Sequence, residues 1–460
     1  MIVDWKLLRN GKNAGGELIR IILGTNEIDM VNFSRKLGLV EHLFETFHSM
    51  GAMIYVNIAV IQGFVTVDAL RIAIDLLQKR HPLLQVHLQA SDRNFYFCAD
   101  GTLAIPLRII DRQHDRQWLE IAEAELSQKF SDQFAPLCRI TLLQSSAQWD
   151  RHELIVTFHH AIADGMSALH FIHELLSLCQ QLMAGTPISP LDSLPLLPPL
   201  EQLLEPCLSE PDRVIPSQTS PPPALLIEQT APADRRQTRL LTHEFDRDLT
   251  LQIASRCREE QTTVHGALCA AILLACVRQL SFPEPVLVSC GSNVNLRGSC
   301  VPVVEPSHLG CFVSAVTTSH QISLDANFWE LARECRANIH QLVDDLVPHS
   351  QVSNPDLVNK YQPSFLAQIA EHNMGRTTTT HVSNLGQFDS KKYAGVRLES
   401  FHFATGQNIV GTCFWLGAVT VDRKLCCTFA YTDPLISLDT AKLLANAAIS
   451  ILNNAATPKL

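Results

Sequence analysis

The 460-residue sequence has no CxxC pair, no run of basic residues, no GxSxG elbow and few charges, 18% against 46% hydrophobic. Each absence removes a class of function. Without CxxC spacing, the 14 cysteines do not form a zinc or disulfide framework. They read as reduced core residues of a cytoplasmic protein. Without a basic run, and at a net charge of −10, nucleic-acid binding is not expected. A phosphate-bearing ligand would need a local basic patch against that acidity. Without GxSxG a serine hydrolase is not expected, and GSNVNLRG lacks the lysine and spacing of a phosphate-binding loop. Apolar runs such as Ala267 to Val277 are too short for a membrane span. The opening MIVDWKLLRNGKNAGG scatters its charge and does not read as a secretory signal.

What is present is ample material for a large core, in a chain longer than one core usually supports, so two lobes are expected. The first 33 residues lack clear period and read as an extension. From Leu37 the pattern is regular. GLVEHLFETFHSMG is amphipathic and helical, AMIYVNIAVIQG alternates like a strand, and VTVDALRIAIDLLQKRHP is a helix that Pro82 ends. Asp111 to Phe130 reads as helix, and PLCRITLLQ with HELIVTFHH as a strand pair. Twelve of the 24 prolines then fall between Pro187 and Pro232, which rules out regular structure there and marks a surface crossover. Helices and strands resume afterwards, ending in a helix from Asp439 to Leu452. The expected division is an extension over 1–33, a first lobe over 34–186, a crossover over 187–237 and a second lobe over 238–460.

The chemistry concentrates in LIVTFHHAIADGMSALHF, Leu154 to Phe171. A strand delivers His159 and His160 to a loop, and Asp164-Gly165 opens a helix. Two imidazoles at the mouth of an apolar strand are costly unless something uses them. A neutral imidazole at a cleft takes a proton from a nucleophile at physiological pH. Gly165 reads as permitting a turn no β-carbon would allow, and the helix buries Met166, Leu169, Ile172, Leu176 and Cys179. Asp164, across the turn, reads as an ion-pair partner rather than part of a proton relay. His170, His173 and Glu174 do not match the helical HExxH arrangement and read as packing, so no metal is expected. Cys290, Cys300 and Cys311 read as packing residues, with no base beside them by sequence. Lys391, Lys392 and Arg397 read as a solvated hairpin rather than a phosphopantetheine or carrier-protein contact.

HHAIADG, His159 to Gly165, resembles the HHxxxDG motif of the chloramphenicol-acetyltransferase-like superfamily, which includes condensation domains and alcohol acyltransferases. The likeness extends in order through GFVTVDALRIAIDLLQKRHPLL, APLCRITLL, TTVHGALCAAILLA, SNVNLRGSCVPVVEPSHLGCFVS and HVSNLG. It implies an α+β fold of two chloramphenicol-acetyltransferase-like lobes, a pseudo-dimer with a tunnel between them. It also implies that His160 is the general base, that His159 is structural, and that Asp164 forms a salt bridge with Arg297 as candidate partner. The tetrahedral oxyanion needs donors, for which Ser383, Asn384 and Asn295 are the candidates. No DFGWG occurs near the C-terminus, which departs from the plant branch. The VNLRG…LGCFVS segment resembles the polyketide-associated, ester-forming branch. The expectation is a monomeric, cytoplasmic acyltransferase with no resident cofactor. It would use an acyl-CoA or phosphopantetheine-linked acyl donor and an alcohol acceptor. The alternatives are a free-standing condensation domain forming an amide, and an inactive relative that docks a carrier protein.

Overall fold

The computed structural model describes residues 33–457, apart from 92–93, 131–132, 145–150, 190, 205–222, 281–284, 346–350, 355–361 and 391–394. The extension before Phe33, the middle of the crossover, and Lys391 with Lys392 therefore lie outside the described residues.

The first half begins with β1 (Ser34–Lys36), the amphipathic α1 (Leu39–Ser49), β2 (Ile54–Gly63) and α2 (Val67–Arg80). Thr66 caps α2 by accepting from the Ala69 N–H, and the helix stops at His81 because Pro82 follows. Next come β3 (His87–Ser91), β4 (Asn94–Cys98), β5 (Leu107–Asp111), α3 (Gln117–Glu125), β6 (Cys138–Gln144), β7 (Arg151–His159) and α4 (Gly165–Met183). The helix expected from Asp111 to Phe130 is shorter than its pattern suggested. Asp111 is the last residue of β5, which pairs in parallel with β6, so sheet pairing overrides local propensity there.

Contrary to the reading of the crossover as devoid of regular structure, it carries one short helix, α5 (Leu200–Leu204), in the proline-free stretch between Pro199 and Pro206. The second half contains β8 (Gln237–Glu244), α6 (Arg247–Glu259), α7 (Val264–Gln279), β9 (Val286–Asn295), β10 (Val313–Ile322), α8 (Phe328–Asp344) and α9 (Pro363–Glu371). It closes with β11 (Thr380–Phe388), β12 (Val396–Thr405), β13 (Phe414–Val421), β14 (Lys424–Asp433) and α10 (Leu438–Ala456). Helix α7 is buried from Gly266 to Val277, as its all-round apolar sequence requires.

Two large mixed sheets result, ordered β12-β2-β7-β6-β5 and β10-β9-β11-β13-β14-β8, beside a small β1-β4-β3 sheet. The lobes interlock. Strand β12, from the C-terminal half, leaves its neighbours and pairs antiparallel with β2 along its length, Val396 opposite Gly63 through Thr405 opposite Tyr55. Chain position after the crossover thus does not decide sheet membership. Cys426 and Cys427 point to opposite faces of β14, one into each lobe's core. The described cysteines are free and buried. Among the described residues no single helix is long and apolar enough to cross a membrane.

Candidate active site

Strand β7 is buried from His152 to His159, and the chain turns immediately after it. Asp164 then caps α4, its Oδ1 accepting from the Ser167 N–H at 2.9 Å. Gly165 is the first helical residue, and its φ lies outside the left-handed region. Gly165 therefore does not make the turn, closed to a β-carbon, that the sequence suggests. Space is the reason for glycine here: a Cβ there would lie 2.3 Å from Leu385 Cδ2, which reaches over from β11. Gly165→Ala is expected to cost about 1 kcal/mol, because Leu385 must shift. Denaturant melts should show that cost shrinking when Leu385 is also cut to alanine. Met166, expected in the core, is half-buried and lines a cavity instead, since the first turn of α4 faces the gap between the lobes.

The structure brings Asp164 and Arg297 together across that gap. Arg297 donates from Nη1 to Oδ2 at 2.7 Å and from Nη2 to Oδ1 at 3.0 Å, a two-pronged pair with both side chains 5% exposed. The Phe312 N–H donates to Oδ2 at 2.9 Å, and Arg297 Nη2 also donates to Ser167 Oγ at 2.8 Å. Burial alone would raise the Asp164 carboxyl. The guanidinium and the two backbone donors override it and hold Asp164 below the usual carboxylate range.

His159 turns away from the cavity. Its Nδ1 accepts from the Ala161 N–H at 3.1 Å, so in the neutral ring the proton sits on Nε2, which faces Glu45 Oε2 at 2.8 Å. His48 mirrors it: Nε2 accepts from the Phe130 N–H at 2.9 Å, leaving Nδ1 to face the same Glu45 oxygen at 3.2 Å. Glu45, His48 and His159 have the proximity of a cation site. Their chemistry does not fit one, because both nitrogens aimed at the carboxylate carry hydrogen while their partners are held by backbone N–H groups. Sequence reasoning missed Glu45 and His48 because nothing local links α1 to the end of β7.

Burial lowers His159 to about 4 from 6.5. Burial opposes ionisation of Glu45, but its two histidine donors bring it to about 2 from 4.5. Both folded values lie below the unfolded ones, so both contributions are complete at neutral pH and decline on acidification. The melting temperature is expected to fall as pH drops from 6.5 towards 4 through His159, and further below 4.5 through Glu45. Scanning calorimetry against pH checks this, with a shallower slope expected for His159→Gln.

His160 faces the other way. Its ring lies between Phe44 of α1, with centroids 4.2 Å apart and planes at 16°, and Tyr55 of β2, at 5.0 Å and 22°. Burial lowers its pKa, against opposing hydrogen bonds to the backbone of His160 and Ala163 and the charge of Asp164. The imidazole is therefore neutral at physiological pH, as a proton acceptor must be. Cys311 Sγ stands 4.0 Å from His160 Nδ1, so a base does lie beside one of the three cysteines that read as isolated packing residues. Burial, with Asp164 nearby, pushes that thiol well up, so it stays protonated. Cys290 and Cys300 are buried in the cores.

His160 opens on a cavity of about 710 Å³ lined from both halves of the chain. One side is polar, with Asn293, Asn295, His381, Ser383 and Asn384 on β9 and β11. Gly386 N–H donates to Asn384 Oδ1 and Arg297 N–H to Asn295 Oδ1, which leaves each Nδ2 outside those bonds. Asn293 Nδ2 donates to Ser383 Oγ at 3.2 Å while its Oδ1 meets His381 Nε2 at 2.7 Å. His381, lowered to about 4 by burial and by His265, is neutral and donates there. The other side is apolar, where Phe47, Met53, Ile369 and Val410 line the cavity and pack in one cluster. His170 and His173 lie outside the cavity, edge-on to Phe388, and Glu174 pairs with His81 and Arg80. Arg397 donates to Gln62, the residue opposite it on β2.

The comparisons with known proteins divide along the chain. Residues 47–195 match the condensation-domain family, and residues 234–416 match the C-terminus of phthiocerol/phthiodiolone dimycocerosyl transferase. The phthiocerol/phthiodiolone dimycocerosyl transferase of Mycobacterium ulcerans is 26% identical over 329 residues, covering 68% of this chain and 74% of that protein. Tyrocidine synthase 3 of Brevibacillus parabrevis is 29% identical over 151 residues, 32% of this chain, and this chain spans only 2% of its length. Polyketide synthase associated protein 5 from Mycobacterium tuberculosis superposes with a TM-score of 0.63 at 19% identity, covering 92% of this chain and 98% of that one. A matched segment in each half, relatives named as transferases and a shared two-lobed fold agree: the chain is similar to condensation domains in its first half and to the C-terminus of phthiocerol/phthiodiolone dimycocerosyl transferase in its second, on a chloramphenicol-acetyltransferase-like fold.

Proposed function

We propose that this protein moves an acyl group from a thioester, of coenzyme A or an acyl carrier protein, to a hydroxyl, forming an ester with His160 as general base. The observation that carries the reading is a neutral histidine held between Phe44 and Tyr55 at the wall of a cavity shared by both lobes. The acceptor O–H gives its proton to His160 as its oxygen attacks the thioester carbonyl. The tetrahedral oxyanion collapses, the C–S bond breaks, and the departing thiolate takes the proton back from His160. Ser383, Asn384 and Asn295 are the donors proposed for the polar wall. Asp164 and Arg297 hold the loop that carries the base, and His159 anchors the end of β7. The apolar end around Phe47, Met53, Ile369 and Val410 suits an alkyl chain.

Incubating the protein with acyl-CoA thioesters of two to sixteen carbons, with alcohols, and reading products by mass tests this reading. Esters are expected, and free acid alone would contradict it. A second reading has its own support, because residues 47–195 match condensation domains, which points to an amide product from an amine acceptor. Amines in the same panel separate the two. A purely docking relative would turn over neither acceptor, and a neutral His160 beside the cavity argues against that role.

A further inference from the structure

Tyr55 lines the cavity and is 2% exposed, yet its hydroxyl has no hydrogen-bond partner among the described residues. Buried hydroxyls are nearly always satisfied within the fold, and one left over asks for a reason. The surroundings supply one. The Tyr55 ring stacks on the His160 imidazole, and Phe403 meets its edge at 6.2 Å. Strand β2 fixes the backbone on both sides, with Tyr55 opposite Phe158 on β7 and opposite Thr405 on β12. The ring is thus held rigidly beside the base in the cavity wall, with its hydroxyl buried and unpartnered among the described residues. Burial and the charge of Asp164 push the phenol well above its ordinary value, so it remains a proton-bearing donor through the physiological range.

We infer that Tyr55 is a catalytic residue, whose hydroxyl donates a hydrogen bond to the thioester carbonyl oxygen as it becomes the oxyanion. This rests on the acyl-transfer reading with His160 as base, and adds to it a donor from the opposite lobe to Ser383. Tyr55 keeps its proton throughout; only the hydrogen bond strengthens as charge builds on the carbonyl oxygen. A donor pre-set by the fold needs no reorganisation when the charge appears. Such a donor acts on the transition state more than on bound substrate, so its loss is read in kcat rather than KM.

The test is Tyr55→Phe, which keeps the ring and its stack. With whichever acyl-CoA and alcohol the wild type turns over fastest, kcat is expected to fall about 10²–10³-fold with KM within threefold. The melting temperature of the free protein should be unchanged or higher, because no bond within the protein is lost. A drop of several degrees would mean that the hydroxyl serves the fold and would overturn the assignment. So would an unchanged kcat, or a rise in KM alone, which would make Tyr55 a substrate contact. His160→Ala run in parallel keeps the two ideas apart. If that variant stays active, the base assignment fails, whereas an active Tyr55→Phe beside an inactive His160→Ala removes only the role of Tyr55.

Discussion

Replacing His160 by alanine is expected to lower acyl transfer by about 10²–10⁴-fold while leaving a folded protein. The size follows from the proposed role: with no imidazole as base, the acceptor hydroxyl would have to lose its proton to water during attack. The stability cost should be small but measurable. The ring is stacked on Phe44 and Tyr55, so its removal leaves two aromatic faces without a partner. This packing is not legible in the sequence, which shows only that a strand delivers His160 to a loop. Far-ultraviolet circular dichroism should match the wild type, and the melting temperature should fall by a few degrees at most. Unreduced turnover in this variant would remove the base from the mechanism.

The second large effect concerns the pair that ties the lobes together. Asp164→Asn and Arg297→Ala should each cost about 3–5 kcal/mol, because each leaves the opposite charge buried without its partner. Asp164 also caps α4 and accepts the Phe312 N–H, so the aspartate change should be the more damaging of the two. Arg297 loses its place over the Phe312 ring, at 4.7 Å, as well. The double variant should cost clearly less than the sum of the singles, since the charge orphaned by one change is removed by the other. Denaturant unfolding of the four proteins measures the difference. Strict additivity would mean that the contact across the gap contributes nothing, and the loop carrying His160 would then need another anchor.

Much of the fold was legible because the strongest signals were long and local. Helix α7 reads as a buried helix from its unbroken apolar and small residues, and α2 from its stop at Pro82. The strand pair β6 and β7 reads from two apolar runs in sequence. Asp111 reads as the start of a helix because β5, which it ends, depends on pairing with β6, a partner some thirty residues on. Long-range pairing also hid the exchange of β12 into the first sheet, since nothing within Val396–Thr405 says which sheet it joins.

The same distinction holds at the site. His159, His160, Asp164 and Gly165 stand in one contiguous motif, and Arg297, Ser383, Asn384 and Asn295 were within reach through the family resemblance. Glu45, His48, Tyr55, Asn293 and His381 were not, because each acts through a contact between distant elements. Tyr55 sits in a strand whose residues are nearly all buried, and its sequence marks it only as core. Its hydroxyl becomes conspicuous only in the fold, where no described neighbour accepts from it.

Transfer of an acyl group from a thioester to a hydroxyl through His160 leaves an ester, which product mass analysis distinguishes from an amide and from free acid. Wild type and His160→Ala should be incubated side by side with the acyl-CoA panel, an alcohol and an amine in equal amounts. An ester is expected as the main product of the wild type, with loss of that ester, about 10²-fold or more, in the variant. An amide as the main product, hydrolysis to free acid alone, or equal ester from both proteins would contradict it.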